Sequence, residues 1–306
     1  HLKSIEIETY KRELVAQIKN SYFQYLMALE NIKIYENAQT LVQKNVKINE
    51  SLLENGKGLH VRVLRAKTEL EQVTSQLNNA KLSSQNAQYY FNFLLNKPLN
   101  SEIQAEFNPL ILINEIIQDS TSYDVQNREE LKMIQSGKDI YTTKLKMQKQ
   151  FYTPNVSAFA DLGNQSENFK FNQNSLYYLI GLQVKVPIFN RPQKFKLQQT
   201  QIDLKLSDLQ LDQTTKQLSL GLEMSKNDLK TTITNYLLSL KQQETSASYF
   251  RLIEKGYQEG IFTLIEYIDA RNQWTISQTL VNINTFKVLQ SKVSVERQAA
   301  SFNISQ

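Results

Sequence analysis

The chain has 306 residues, a formal net charge of +5 at neutral pH and no cysteine. The lack of cysteine excludes a disulfide framework, a thiolate metal site and a cysteine nucleophile. The charged residues are scattered along the chain, so they do not indicate a nucleic-acid-binding surface. With two histidines and no nucleophile or phosphate-loop motif, the sequence predicts neither an enzyme nor a cofactor or metal site.

The first part of the chain predicts two long helices. Residues 2–96 contain no proline, and glycine occurs there at Gly56 and Gly58. Apolar residues recur at helical spacing on both sides of these glycines. We therefore predict a helix, a tight reversal at residues 55–58 and a second helix that runs back. Lys97–Pro98 ends this segment, because the residue before a proline disfavours helical geometry.

Residues 98–127 form a connector that is rich in turn-forming residues. Its apolar run Leu110–Ile117 fits either a short helix or a strand. The helical pattern returns from Arg128 to Gln150.

After residue 154 the hydrophobic period changes from helical to alternating. Apolar residues occupy every second position in 156–162 and again in 176–188, with a polar stretch between the two runs. This pattern predicts two strands joined by a long polar loop. Strands of about 10 to 13 residues suit a tilted crossing of a bilayer. We expect the apolar face to contact lipid and the opposite face to contact a water-filled lumen; on the second strand that opposite face carries Gly181, Gln183 and Lys185.

The last part of the chain repeats the first. The second strand ends in Pro187–Pro192, and a helical pattern then runs to about residue 255, followed by a second reversal at Gly256–Gly260 and a final helix from about Thr263. Leu53-x-x-Gly56 of the first half matches Tyr257-x-x-Gly260 of the second. Because a strand pair precedes the long helix in the second half, we expect the chain to be incomplete at its N-terminus, where the matching helix and strand pair would lie.

Several motifs occur in the order and spacing of one known family. Val186-Pro187-Ile188-Phe189-Asn190 resembles that family's strand-to-helix junction, Pro154-Asn155-Val156 resembles the start of its outbound strand, and Arg128-Glu129-Glu130-Leu131 resembles its R-P-E-L segment, with Glu129 in place of proline. Tyr257-x-x-Gly260-x-x-Thr263-x-x-Glu266-x-x-Asp269-Ala270 resembles its second hairpin. The whole chain therefore resembles the TolC family of outer-membrane efflux proteins.

The resemblance implies a mainly α fold with a membrane β-hairpin. Long antiparallel helical hairpins would form a tunnel wall, and the strands would join a β-barrel shared by three protomers. In this scheme residues 1–97 form the first helical hairpin, 98–127 the connector, 128–150 the second-repeat helix, 151–190 the two strands with their loop and 191–306 the second long hairpin. The cost of open sheet edges supports a barrel shared between protomers, because an open edge in lipid leaves backbone groups unpaired.

The resemblance also implies a function, a location and partners. The protein would be a passive exit duct of a tripartite efflux or type I secretion system in the outer membrane of a Gram-negative bacterium. It would extend into the periplasm as a homotrimer and contact outer-membrane lipid, a periplasmic adaptor (membrane-fusion) protein and an inner-membrane transporter. The identity of the cargo does not follow from the sequence.

The resemblance assigns three sets of site residues. The first set, at the hairpin tips, would contact the adaptor and comprises Gly56, Gly58, Leu59, Gly260, Ile261, Phe262 and Thr263. We expect Leu59, Ile261 and Phe262 to be exposed. An entrance gate falls to Glu266, Asp269 and Tyr257, and we expect Arg62 or Arg65 to pair with the two acids across neighbouring hairpins. The strand-to-helix junction falls to Pro187 and Phe189.

A soluble coiled-coil scaffold is the alternative. It accounts for the long helices and their polar faces. It does not account for two long alternating strands between helices, or for the internal repeat.

Overall fold

The computed structural model describes residues 2–104, 108–165 and 176–302, and there the chain forms six helices and two strands. In chain order these are α1 (Leu2–Glu54), α2 (His60–Leu94), α3 (Pro109–Gln118), α4 (Glu129–Gln150), β1 (Asn155–Asn164), β2 (Leu176–Lys185), α5 (Arg191–Gln258) and α6 (Leu264–Gln298). The apolar run of the connector is thus the helix α3. Asn108 caps it by accepting a hydrogen bond from the backbone N–H of Leu110 at 3.1 Å, and Pro109 suits its first turn.

The chain divides into two units, each described by itself. The strand unit comprises residues 1–2 and 130–215, and the hairpin unit comprises residues 3–129 and 216–306. Most of the predicted polar loop between the strands lies outside the described residues.

In the hairpin unit, the two glycine reversals have the same hydrogen bonds. At each turn the glycine N–H donates to the carbonyl three residues earlier, and the next N–H donates to the carbonyl five residues before it. These distances are 3.0 and 2.8 Å after α1 and 3.1 and 2.8 Å after α5. Gly56 and Gly260 have φ of +69° and +80°, the left-handed geometry in which glycine ends a helix at low cost. The two halves of the repeat therefore end their long helices in one way.

Apolar clusters hold the helices of the hairpin unit together. α1 and α2 share the buried residues Ala38, Val42, Val46, Ala66 and Val73. α5 and α6 share Phe250, Ile253, Leu264, Tyr267, Ile268 and Ala270. A third cluster places Ile113 of α3, which is 0% exposed, with Phe23 of α1 and Phe286 of α6. Each fully buried aliphatic side chain of this kind contributes about 1.5 to 3 kcal/mol.

No helix in the described ranges combines the length and the apolar composition that a membrane span requires.

The segment that resembles R-P-E-L anchors the start of α4. The Glu129 carboxylate is fully buried and accepts a hydrogen bond from Nε of Arg12 on α1 at 2.7 Å. Arg128 is also buried and donates to the carbonyl oxygen of Arg297 at 3.0 Å. A buried charge is tolerated when it is paired and hydrogen-bonded. The acid that stands in place of the family's proline is therefore balanced by Arg12.

In the strand unit, β1 and β2 pair antiparallel, with Asn155 opposite Lys185 and Asn164 opposite Leu176. The register brings the apolar positions of both strands to one face: Val156, Ala158, Ala160 and Leu162 of β1, and Tyr178, Ile180, Leu182 and Val184 of β2. All of these side chains are exposed. An exposed apolar face of this kind marks a surface that contacts another protein or a membrane.

The opposite face of the sheet is less polar than the sequence predicted. Phe159 lies opposite Gly181, and Tyr177 lies opposite Gly163. A methyl group on Gly181 would come within 2.5 Å of the Phe159 ring, and one on Gly163 within 2.8 Å of the Tyr177 ring. Each ring therefore covers the glycine across from it, an arrangement that pins strand register. The prediction of a polar face used Gly181, Gln183 and Lys185 and gave no weight to the rings of Phe159 and Tyr177.

The second strand is shorter than predicted. β2 ends at Lys185, so Val186 and Ile188 lie beyond it. Pro187 lacks the N–H that a further ladder hydrogen bond needs. Alternation of apolar residues thus continues past the point where pairing stops.

Candidate functional site at the hairpin tips

Two polar contacts join the two helical hairpins near their glycine turns. The Asn49 side-chain amide on α1 donates to the Tyr257 hydroxyl on α5 at 3.1 Å. Glu69 on α2 forms an ion pair with Arg271 on α6. Asn49 and Tyr257 come just before the turns, and Glu69 and Arg271 come just after them. Both tips therefore lie at the same end of the hairpin unit.

Tyr257, predicted as a gate residue, is half-buried in this end of the unit. Its ring stacks on Tyr267 at a centroid distance of 4.9 Å, and its partner Asn49 is 2% exposed. Burial, reinforced by the nearby Glu254 carboxylate, raises the pKa of Tyr267 to about 12. The Tyr267 phenol therefore stays neutral at physiological pH, and the two rings act here through packing and hydrogen bonds.

The ion pair between Glu69 and Arg271 was not predicted. The two side chains are 3% and 1% exposed. Burial lowers the pKa of Arg271, and the Glu69 carboxylate opposes that shift. The sequence did carry one signal: Glu69 follows Ala66 by three positions and precedes Val73 by four, which places a charge on the apolar stripe of α2.

The two predicted gate acids are exposed on the first turns of α6. Glu266 forms a capping box with Thr263, accepting hydrogen bonds from the Thr263 backbone N–H at 2.7 Å and hydroxyl at 2.8 Å. These bonds lower the pKa of the Glu266 carboxyl, because they favour its charged form. Asp269 accepts a hydrogen bond from the side chain of Gln273 at 2.7 Å. Within the protomer, both acids are thus engaged with neighbours on α6.

Arg62 and Arg65 are exposed on α2. Among the described residues of this protomer, neither arginine forms an ion pair with Glu266 or Asp269. The pair that does join α2 to α6 has the opposite polarity, with the acid on α2 and the base on α6.

The hairpin tips expose two of the three apolar residues expected there. Leu59 is 59% exposed and Ile261 is 68% exposed. Phe262 is only half-exposed, and the expectation for this residue was wrong. Its ring packs against Gly256, where a methyl group would lie 2.5 Å from it, and it borders the apolar cluster of α5 and α6. Burying the ring removes its apolar area from water.

The other predicted tip residues shape the turns. Gly56 and Gly260 supply positive φ, and Thr263 caps α6. At Gly58 a methyl group would lie 2.7 Å from the backbone nitrogen of Leu53. The sequence therefore identified the turn residues from local signals.

The predicted strand-to-helix junction lies in the strand unit. Phe189 is 83% exposed, directly after Ile188, which is 91% exposed. Asn190 caps α5 by accepting a hydrogen bond from the backbone N–H of Gln193 at 3.1 Å. Pro187 ends the strand pairing, and Asn190 starts the helix two residues before Pro192.

Long paired helical hairpins and a two-stranded sheet with an exposed apolar face define a subunit of a TolC-like outer-membrane channel. The family model of the outer membrane efflux proteins matches residues 4–96 and 125–297. The chain belongs to this family. The predicted resemblance and fold class are thereby confirmed, and family membership supports an outer-membrane location in a Gram-negative bacterium.

Solved structures of several channels share the fold. The Campylobacter jejuni CmeC outer membrane channel is 16% identical, with a TM-score of 0.74, over 100% of this chain and 66% of that one. The open state of the Neisseria gonorrhoeae MtrE outer membrane channel is 13% identical, with a TM-score of 0.77, over 97% and 68%. The Vibrio cholerae outer membrane protein VceC is 14% identical, with a TM-score of 0.75, over 97% and 71%. No curated protein matches the chain.

Proposed function

We propose that this protein is the passive exit duct of a tripartite efflux or type I secretion system, and not an enzyme. It acts as a homotrimer in the outer membrane and extends into the periplasm. The observation that carries the proposal is that two hairpin tips with the same pattern of turn hydrogen bonds lie at one end of the hairpin unit. Such a repeated end suits a ring of tips around an opening. A soluble scaffold does not explain the exposed apolar face of the strands.

The tips dock with a periplasmic adaptor, which in turn contacts an inner-membrane pump. Exposed Leu59 and Ile261 support this assignment, because exposed apolar side chains at a rigid turn supply area that a partner can bury,. The glycine turns and the Thr263 cap hold these side chains in place.

Glu266 and Asp269 form the entrance of the duct. They lie three residues apart on one face of α6, and in a trimer each contributes a ring of carboxylates. The hydrogen bonds that lower the pKa of Glu266 favour a permanent negative charge. Carboxylate rings attract cations and repel anions. Arg62 or Arg65 pairs with these acids across neighbouring hairpins of adjacent protomers and holds the entrance shut. Tyr257 keeps the second hairpin against the first.

Planar bilayer recording tests both the duct and its gate. We expect the unmodified protein to conduct ions, and we expect Arg62→Ala combined with Arg65→Ala to raise the conductance several-fold, because the closing ion pairs are lost. Lys230→Ala combined with Arg251→Ala removes the same charge from exposed positions on α5 and serves as the matched control. Equal conductance of the two double variants would reject the gate. Absence of any conductance in both the unmodified protein and the Arg62→Ala, Arg65→Ala variant would reject the duct.

A further inference from the structure

The helix ends next to the strands carry positive charge without neighbouring acidic residues. Six basic residues lie within about 10 Å of the end of α4 or the start of α5, at a rise of about 1.5 Å per residue. They are Lys144, Lys146 and Lys149 on α4 and Arg191, Lys194 and Lys196 on α5. Neither stretch, 140–155 or 185–202, contains an aspartate or glutamate. The whole chain has 35 basic and 30 acidic residues, so this basic collar is a local excess.

The collar residues belong to the strand unit and their side chains are exposed. α4 and α5 are held together beside them by other groups: the Gln193 side chain donates to the carbonyl oxygen of Gln148 at 3.1 Å, and Lys138 pairs with Asp208 at 2.6 Å. The collar therefore does not serve to join these two helices, and its charge is available to a partner.

Exposed aromatic residues mark the level at which the collar lies. Phe151 and Tyr152 stand between α4 and β1, and Phe189 stands between β2 and α5. Aromatic side chains at the ends of membrane strands lie at the boundary between hydrocarbon and headgroups. The collar follows directly on the helix side of these rings. At that depth, long basic side chains can keep their stems against apolar surface and extend their charge among the headgroups.

We propose that the basic collar binds anionic phospholipid headgroups in the leaflet on the helix side of the strands. This inference rests on the proposed membrane location of the strands. Phosphate oxygens are the complementary partner for a cluster of lysine and arginine without neighbouring acids. The collar would recruit such lipids around the channel and fix the depth of the strands in the bilayer.

Lipid co-purification tests the collar. The protein is reconstituted into vesicles of equal parts phosphatidylglycerol and phosphatidylcholine and re-extracted in mild detergent, and the ratio of the two retained lipids is measured. We expect about five-fold enrichment of phosphatidylglycerol at low salt. The enrichment should vanish in 1 M NaCl, where the screening length is only about 3 Å.

Four substitutions distinguish the effect of the collar residues on lipid binding from the effect of net charge. K146Q, K149Q, K194Q and K196Q together should bring the lipid ratio close to one, whereas arginine at the same positions should preserve it. K81Q, K97Q, K230Q and K241Q together remove equal charge from exposed positions of the hairpin unit and should leave the ratio unchanged. A collar variant that still enriches phosphatidylglycerol overturns the proposal, as does an unmodified protein with a ratio near one.

Two further outcomes would show that the collar faces a different surface. A collar variant with altered ion selectivity and an unaltered lipid ratio would place these side chains in the lumen and overturn the lipid assignment. Preference for lipid A over phosphatidylglycerol in a parallel mixture would assign the collar to the other leaflet, which also overturns it. Conductance in pure phosphatidylcholine bilayers tests the duct separately, so loss of lipid preference with intact conductance rejects the collar alone.

Discussion

At the scale of single residues, Glu69 and Arg271 are enclosed together where α2 meets α6. Removing one of them leaves the other charge buried without a partner, which costs about 3 to 5 kcal/mol. We therefore expect Arg271→Met to lower the free energy of unfolding by about that amount, as followed by loss of helical signal in denaturant. Combining Arg271→Met with Glu69→Met removes both charges and should recover most of the loss.

Arg251→Met is the control for this prediction. Arg251 is exposed on α5, and exposed substitutions usually change stability by no more than about 0.5 kcal/mol. Equal losses for Arg251→Met and Arg271→Met would contradict the role given to the buried pair.

The Asp119 carboxylate gives the hairpin unit a pH-dependent contact. Hydrogen bonds from Lys292 and Thr121 hold the pKa of Asp119 below its usual range. A carboxyl with a lowered pKa in the folded state stabilises the fold above its unfolded pKa of about 3.9, and this contribution is lost as pH falls towards the folded value. Lys292→Met should therefore destabilise the protein by about 1 kcal/mol at pH 7.

The difference between Lys292→Met and the unmodified protein should shrink steadily as pH is lowered below about 5. Unfolding curves at a series of pH values measure it. Lys287→Met, at an exposed position on the same helix, should show a small difference that does not depend on pH in this range. A loss of unfolding free energy in Lys292→Met that stays constant as pH is lowered would contradict the role given to Asp119.

Local sequence signals predicted the roles of individual residues better than they predicted contacts between distant residues. Gly56 and Gly260 could be predicted because positive φ in a helix-ending turn selects glycine,. Glu69 and Arg271 are 202 positions apart, and no local rule connects them. The half-exposed state of Phe262 was missed because its ring fills the space beside Gly256 in the last turn of α5, where a side chain would collide with the ring.

At the scale of secondary structure, replacing glycine by alanine should have opposite effects on stability in a glycine turn and inside a helix. Gly260 has φ of +80° with open space around its Cα, so Gly260→Ala should lower the free energy of unfolding by about 1 to 2 kcal/mol through backbone strain alone. Gly137 lies inside α4, also with open space and without positive φ. Gly137→Ala should raise stability by about 0.5 to 1 kcal/mol.

Thermal or denaturant unfolding of the two alanine variants measures this contrast. Gly260→Asn should be less harmful than Gly260→Ala, because asparagine tolerates left-handed geometry. Effects of the same sign at both glycines would show that φ is not what determines the choice of residue.

The period of the hydrophobic pattern was sufficient to predict the type of each long element. Helical spacing and alternation distinguished the long helices from β1 and β2, and the short run of α3 stayed ambiguous because it is too short to show a period. Element ends were harder to predict. β2 stops at Lys185 because Pro187 cannot pair,, although apolar alternation continues to Ile188.

At the scale of the whole molecule, four motifs in a characteristic order and spacing predicted the family, and the internal repeat was consistent with it. The repeat did not predict which faces of the two hairpins meet. That choice depends on contacts such as the one between Asn49 and Tyr257, whose partners lie in different halves. The identity of the cargo does not follow from the chain, because in the proposed system the pump and the adaptor select it.

The paired strands β1 and β2 have further consequences for inheritance. A sheet of two strands has two open edges, and unpaired backbone groups in hydrocarbon cost several kcal/mol each. The two described strands therefore cannot cross a membrane alone, and in the proposed homotrimer their insertion would coincide with closure of the ring by the neighbouring protomers. A gene copy encoding a damaged strand would then be dominant, because a single faulty subunit leaves the whole ring open and withdraws its sound neighbours from use.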